Sequence, residues 1–206
     1  MDTTWYRDIN HFAIHTAWLH PIMKLAALDG VGLFGVLVVL GWWFARSSRQ
    51  APRAVAAAVW TGAATLLAVW VNQLIVKAVA RPRPFLSVTK AEVLVHRSND
   101  YSFPSDHAVA AGAATMGLWI VAHYAPRIVR RLAILSTILA ALVAFARVYV
   151  GVHYPGDVGA GLAVGAAVAG LGWLLMRNWL SNIAGSLAQK RALRPLIMAG
   201  PRKGPT

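Results

Sequence analysis

The sequence predicts an all-α integral membrane bundle of about five transmembrane helices, with an interfacial helix at the N-terminus. Three observations predict it. Hydrophobic residues make up 58% of the 206 residues and charged residues 13%, against about 45–50% and about 25% in an ordinary soluble domain. The apolar residues gather in five stretches, each near the ~20 residues a helix needs to cross a hydrocarbon core. The connections between those stretches alternate in charge. With a mean hydropathy of +0.55, a soluble enzyme and a disordered chain are both excluded. There is no cysteine, hence no disulfide framework, thiolate metal site or cysteine nucleophile. The length allows one domain, expected to be a membrane-embedded unit over residues 1–180 followed by a basic cytoplasmic tail over 181–206.

Residues 1–24 mix Trp5, Ile9, Phe12, Ile14 and Trp18 with His11, His15 and His20. They lack the basic start and apolar run of a signal peptide and suit an interfacial helix. His11 and His15 are four apart, but no third ligand accompanies them, so they read as polar-face histidines. The first crossing is expected from Leu25 to Ala45, with Asp29 near its start. The second runs from Ala54 to Val76 without a charge, the third from Ala108 to Ala125, the fourth from Leu132 to Val150, and the fifth from Val158 to Met176. All are rich in Val, Gly and Ala, poor helix formers in water. In lipid the backbone must bond internally, so helix is forced. Gly161 and Gly165 read as a small-xxx-small packing pair.

One set of ends carries Arg46, Arg49, Arg53, Arg127, Arg130, Arg131, Arg177, Lys190, Arg191, Arg194, Arg202 and Lys203, and no acid. The opposite set carries all seven acids and the other eight bases. The positive-inside rule places the basic ends in the cytoplasm, and five crossings then put the N-terminus outside. Trp42, Trp43 and Trp179 suit interfacial anchors. A net charge of +13 would suit nucleic acid, but its placement favours anionic headgroups. The expected partners are therefore membrane lipids and not nucleic acid; a homo-oligomer is left open.

Three polar clusters fall at one membrane face. Lys77, Arg81, Pro82, Arg83 and Pro84 follow the second crossing. Phe103, Pro104, Ser105, Asp106 and His107 precede the third. Arg147, His153, Pro155 and Asp157 join the fourth to the fifth. The prolines stop the second helix, so Arg81 and Arg83 stand two apart in extended chain and need not point the same way. Ser105 reads as an N-cap with His107 in the first helical turn, where free N–H groups favour an anion. Arginine forks suit phosphate oxygens. A carboxylate beside an imidazole orients the ring, and a second imidazole can protonate a leaving oxygen. Each residue also has an ordinary reading: Arg147 as a snorkelling cation, Ser105 as a cap only, Asp157 as a first-turn acid. Their convergence at one face is what reads as a site, because charge near a membrane core is rare without function.

At these clusters the sequence resembles the type 2 phosphatidic acid phosphatase superfamily. Its pattern of K-x6-R-P, P-S-G-H and S-R-x5-H-x3-D is met by Arg83-Pro84, by Pro104-Ser105-Asp106-His107, and by Ala146-Arg147, His153 and Asp157. Asp106 replaces the glycine and Ala146 the serine. The family lysine falls at Val76, one position before Lys77. RPRPF, FPSDH and HYPGDV look like the bacitracin-resistance branch of undecaprenyl-diphosphate phosphatases.

The resemblance implies the roles that follow. His153 is the nucleophile and forms a phosphohistidine. Asp157 orients it, and His107 protonates the leaving group. Arg83, Arg147, Ser105 and the N–H groups around Asp106 hold phosphoryl oxygens, with Arg81 and Lys77 as further phosphate ligands. Asp106 either points away or helps handle a diphosphate. No metal and no cofactor is implied. The expected substrate is a polyprenyl diphosphate lipid, undecaprenyl diphosphate, hydrolysed to undecaprenyl phosphate and phosphate at the periplasmic or outer face of the cell (inner) membrane. The alternatives are another lipid phosphate, such as phosphatidylglycerophosphate, phosphatidic acid or a polyprenyl-phosphoryl sugar phosphate, or a non-enzymatic transporter or scaffold.

Overall fold

The computed structural model describes residues 1–200 and is all-helical, with no strand among those residues. The helices are α1 (Asp2–His15), α2 (His20–Leu28), α3 (Gly30–Ala45), α4 (Ala51–Val79), α5 (Pro84–Ser87), α6 (Asp106–Tyr124), α7 (Arg127–Tyr149), α8 (Pro155–Gln189) and α9 (Arg194–Ile197). The last four expected crossings are α4, α6, α7 and α8. The first is not one straight rod. It breaks at Asp29, and the segments on either side bend by 53°.

By length and composition, α4, α7 and α8 are apolar enough to span a membrane, and the bent pair before Ala45 makes a fourth. Helix α6, the remaining expected crossing, differs for a physical reason. It carries Asp106, His107 and His123, and it sits in the centre against α3, α4, α7 and α8. Its small residues Ala108, Ala111, Ala113 and Gly117 face protein. The most exposed large apolar side chains lie on other helices, such as Leu66, Trp70, Leu171 and Leu175.

Small residues let α8 lie directly on α6. A Cβ added at Gly161 would stand 2.8 Å from the Ser105 carbonyl oxygen, and one at Gly165 would strike the Val109 carbonyl oxygen. Gly161 and Gly165 thus pack as expected, and they bring the starts of α6 and α8 together.

Helix α1 is more than an interfacial helix. Trp5, Phe12, Ile14 and Trp18 face outward as expected, while Tyr6, Asn10 and Ala13 are buried. Tyr6 donates from its hydroxyl to the Gly151 carbonyl at 3.1 Å. Asn10 binds Glu92 through both its amide and its carbonyl. The Nδ1 of His15 lies 2.8 Å from the His11 carbonyl oxygen.

The expected domain end at residue 180 lies inside α8, which continues unbroken to Gln189. At 1.5 Å per residue its 35 residues measure about 52 Å, so it outruns the ~30 Å hydrocarbon core. Helix α9 folds back rather than trailing away. Ala199 N donates to Arg46 O at 2.9 Å, and Trp42 Nε1 donates to Leu196 O at 3.2 Å. Arg46 stacks over Trp43, its guanidinium carbon 4.4 Å from the ring centroid. Arg202 and Lys203 lie outside the described residues.

Candidate active site

The site forms because helix direction alternates. Helices α4 and α7 end at one end of the bundle, and α6 and α8 begin there. Arg83, Asp106, His107, Arg147 and His153 line one cavity of about 250 Å³ at that end.

His153 is 3% exposed, in the turn between α7 and α8. Its Nδ1 stands 2.8 Å from the Ser102 carbonyl oxygen. A carbonyl only accepts, so Nδ1 carries the proton and Nε2 keeps the lone pair. That lone pair faces the cavity, 3.2 Å from Arg147 Nη2 and 3.4 Å from Arg83 Nη1. Burial, and then the two guanidiniums against a partial offset from Asp157, push His153 down to about 4. A neutral ring is therefore the resting form.

Asp157 is fully buried, but it does not take the His153 proton directly. Its Oδ2 is 3.6 Å from Nδ1. Oδ2 instead accepts from the Ser102 hydroxyl and from Tyr154 N at 2.8 Å, and Oδ1 accepts from Arg81 Nη1 at 2.6 Å. The Ser102 carbonyl meets the ring directly, and Asp157 stands just behind it, bracing the loop that carries His153.

Arg83 is 5% exposed and fixed on three sides. It donates from Nε and Nη2 to Asp100 Oδ1 at 2.9 and 2.6 Å, and from Nη1 to Val152 O at 2.9 Å. Burial alone would raise the Asp100 carboxyl. Bonds from Ser98 and Arg83 outweigh it and hold Asp100 below the usual carboxylate range. Arg147 has no ion pair among the described residues. It donates from Nη1 to Ala27 O at 3.1 Å, and its buried Nε has no partner. The cavity thus holds a buried cation with no carboxylate in direct contact among the described residues, a group suited to an anion.

The remaining expected ligands divide. His107 lines the cavity from the first turn of α6. Ser105 occupies the N-cap position, yet its side chain makes no cap bond, and its buried Oγ has no partner. Buried polar atoms are normally satisfied, so this hydroxyl keeps an unused donor beside the helix start, although Ser105 is not among the residues that line the cavity. Asp106 does not point away. It lines the cavity, and its Oδ1 accepts from Asn72 Nδ2 at 2.7 Å and Gln73 Nε2 at 2.9 Å. Two more of the expected phosphate ligands stand outside the cavity lining. Lys77 is exposed and Val76 lines the cavity in its place, because one residue is about 100° of helix turn. Arg81 points behind the site, to Asp157 and to Asp2.

Sequence reasoning missed Asp2, Asn72, Gln73, Asp100 and Ser102. The only available signal was that Asp100 and Ser102 directly precede Phe103-Pro104. Among the described residues no group of three or more His, Asp or Glu side chains is placed to hold a metal ion.

Fold and site together define a helical, multi-pass membrane protein whose cavity is lined by a buried histidine and two buried arginines. Residues 57–181 match the PAP2 superfamily. The chain belongs to that superfamily and is a membrane phosphatase. It is 28% identical over 172 residues to undecaprenyl-diphosphatase BcrC of Bacillus subtilis strain 168, covering 84% of this chain and 81% of that one. It is 37% identical over 110 residues to an undecaprenyl-diphosphatase of Sulfolobus acidocaldarius, covering 50% of this chain and 48% of the relative. Its fold is shared with a PAP2-type phosphatidylglycerolphosphate phosphatase from Bacillus subtilis, at a TM-score of 0.62 and 22% identity over 91% of this chain and 87% of the other.

Proposed function

We propose that this protein hydrolyses undecaprenyl diphosphate to undecaprenyl phosphate and phosphate at the outer leaflet, without a metal, and so recycles the lipid carrier of cell-wall synthesis. One observation carries the chemistry: the unprotonated Nε2 of buried His153 faces two arginines, one of them without a carboxylate partner among the described residues. The diphosphate preference is supported by the undecaprenyl-diphosphatases among its relatives. The outward site is supported by the basic residues at the opposite end of the bundle.

In this reading Arg83, Arg147, the Ser105 hydroxyl and the first N–H groups of α6 hold the terminal phosphoryl oxygens. Such preorganised donors stabilise charge developing in the transition state. His153 Nε2 attacks the terminal phosphorus, forming an N–P bond. The bond to the bridging oxygen breaks, its electron pair stays on that oxygen, and His107, protonated as the negative diphosphate enters beside it, gives it that proton. Undecaprenyl phosphate leaves. Water then attacks the phosphohistidine, losing a proton to His107, while the N–P electrons return to Nε2 and phosphate departs. The isoprenoid tail stays in lipid throughout.

The test is phosphate release by the purified protein in detergent with a chelator present, comparing undecaprenyl diphosphate, phosphatidylglycerophosphate and phosphatidic acid. Chelator-resistant release that favours the diphosphate and vanishes in His153→Ala is expected. Preference for another lipid overturns the substrate, and full activity in His153→Ala overturns the mechanism.

A further inference from the structure

The residue two before Arg83 does not face the cavity. Arg81 donates from Nη1 to Asp157 Oδ1 at 2.6 Å and from Nη2 to Asp2 Oδ2 at 2.7 Å. Its guanidinium carbon lies 4.0 Å from the Tyr154 ring centroid, close enough for a cation–π contact. Its carbonyl accepts from Ser102 N at 2.9 Å. Ser102 in turn holds both catalytic partners, Asp157 through its hydroxyl and His153 through its carbonyl. Asp2 completes the clamp: its Oδ1 accepts from Gly156 N at 2.8 Å, in the first turn of α8. Tyr6 of the same helix anchors the Gly151 carbonyl at the other end of the His153 loop.

We propose that Arg81, held by Asp2 of α1, is a positioning residue that neutralises Asp157 and fixes the loop carrying the nucleophile, so that the N-terminal helix is a working part of the active site. This rests on the reading of His153 as nucleophile. The groups facing His153 are Arg147 from α7, Arg83, His107 from α6 and Asp157 from α8. Arg81 and Asp2 stand behind Asp157, and Asp100 stands behind Arg83. Among the described residues Arg81 is the one arginine or lysine paired to Asp157. Without it, the Asp157 charge acts on the ring uncompensated and stabilises the imidazolium, which cannot attack phosphorus.

The experiment is the pH profile of kcat/KM for phosphate release from undecaprenyl diphosphate by the full chain, in wild type, Arg81→Ala, Arg81→Lys and Asp2→Asn, with His153→Ala as control. Arg81→Ala is expected to move the acid limb upward by about one pH unit. It should also lower kcat about 10- to 100-fold at neutral pH with little change in KM. Arg81→Lys should recover part of both effects, and Asp2→Asn should move the limb the same way by less. If Arg81→Ala does not fold, Arg81→Lys and Asp2→Asn carry the test. A raised KM with an unmoved acid limb would overturn the proposal and make Arg81 a phosphate ligand. Unchanged profiles in all three would overturn it outright. Retained activity in His153→Ala would instead strike the nucleophile assignment.

Discussion

The Ser102 carbonyl takes the Nδ1 proton of His153 at 2.8 Å, while the nearest Asp157 oxygen stands 3.6 Å away. The tautomer is therefore set by the main chain. Where an acid alone fixes the tautomer, its amide replacement costs about 10⁴-fold in kcat. With the carbonyl retained, Asp157→Asn should cost nearer ~10²-fold, the level of a disturbed supporting contact. Phosphate-release rates for Asp157→Asn and His153→Ala check this. Equal loss in both would show that Asp157, not Ser102, governs the ring.

The state of His153 gives a pH prediction. Held at about 4 in the fold against ~6.5 unfolded, the ring stays neutral and nucleophilic well below neutrality. The acid limb of kcat/KM should therefore lie near pH 4 rather than near 6.5. Between those values the unfolded chain binds a proton that the native one does not, so stability must fall as pH drops through this window. Melting temperatures in detergent from pH 7 to pH 4 should decline, and less steeply in His153→Gln.

The long apolar helices were legible because hydrocarbon demands long apolar runs, and the candidate site because three clusters ended at one face. The break at Asp29 was hidden by continuous hydrophobicity on both sides of it. The run of α8 past Met176 to Gln189 was hidden because helix beyond the bilayer needs no apolar signal. Ser102 acts on His153 through its backbone, which no side-chain pattern encodes. Arg81 and Arg83 could not be told apart in direction past the prolines, and Asp2 meets Gly156 across 154 positions. Lys77 and Val76 were separable in principle, since only their helix phase differs.

Arg83 owes its aim to Asp100, whose carboxylate grips two of its nitrogens. Asp100 is 58% exposed, so the pair contributes at most ~1 kcal/mol to stability. Its effect is on where the fork points. Asp100→Asn should raise KM about three- to ten-fold, since the charge behind both of these hydrogen bonds to Asp100 Oδ1 is lost, with an unchanged melting temperature. A fall in melting temperature with unchanged KM would make the pair structural.

Lys77 faces away from the cavity that Val76 lines. Lys77→Ala should leave kcat/KM within about two-fold, as surface substitutions usually do. Val76→Lys places an ammonium in the cavity and should lower KM for the diphosphate. A large loss in Lys77→Ala would require Lys77 to reach around α4 to the phosphate.

Contact between α6 and α8 holds His107 and Ser105 in register with His153. Gly165 lies against the Val109 carbonyl, and an added Cβ also comes within 2.7 Å of Ala113 N. Both neighbours are backbone of a packed helix and cannot turn aside as a side-chain tip would. Gly165→Val should therefore push the helices apart, at a cost of about 1–3 kcal/mol or more. It should also lower kcat, because the proposed nucleophile and the proposed acid stand on opposite sides of this contact. Gly185 lies on the same helix, where an added Cβ meets nothing within 4 Å. Gly185→Ala should stabilise α8 by roughly 0.5–1 kcal/mol without touching activity. Thermal melts and phosphate release for the two variants separate the contact from glycine's general flexibility. Equal behaviour of the pair would mean that the α6–α8 contact does not hold the site together.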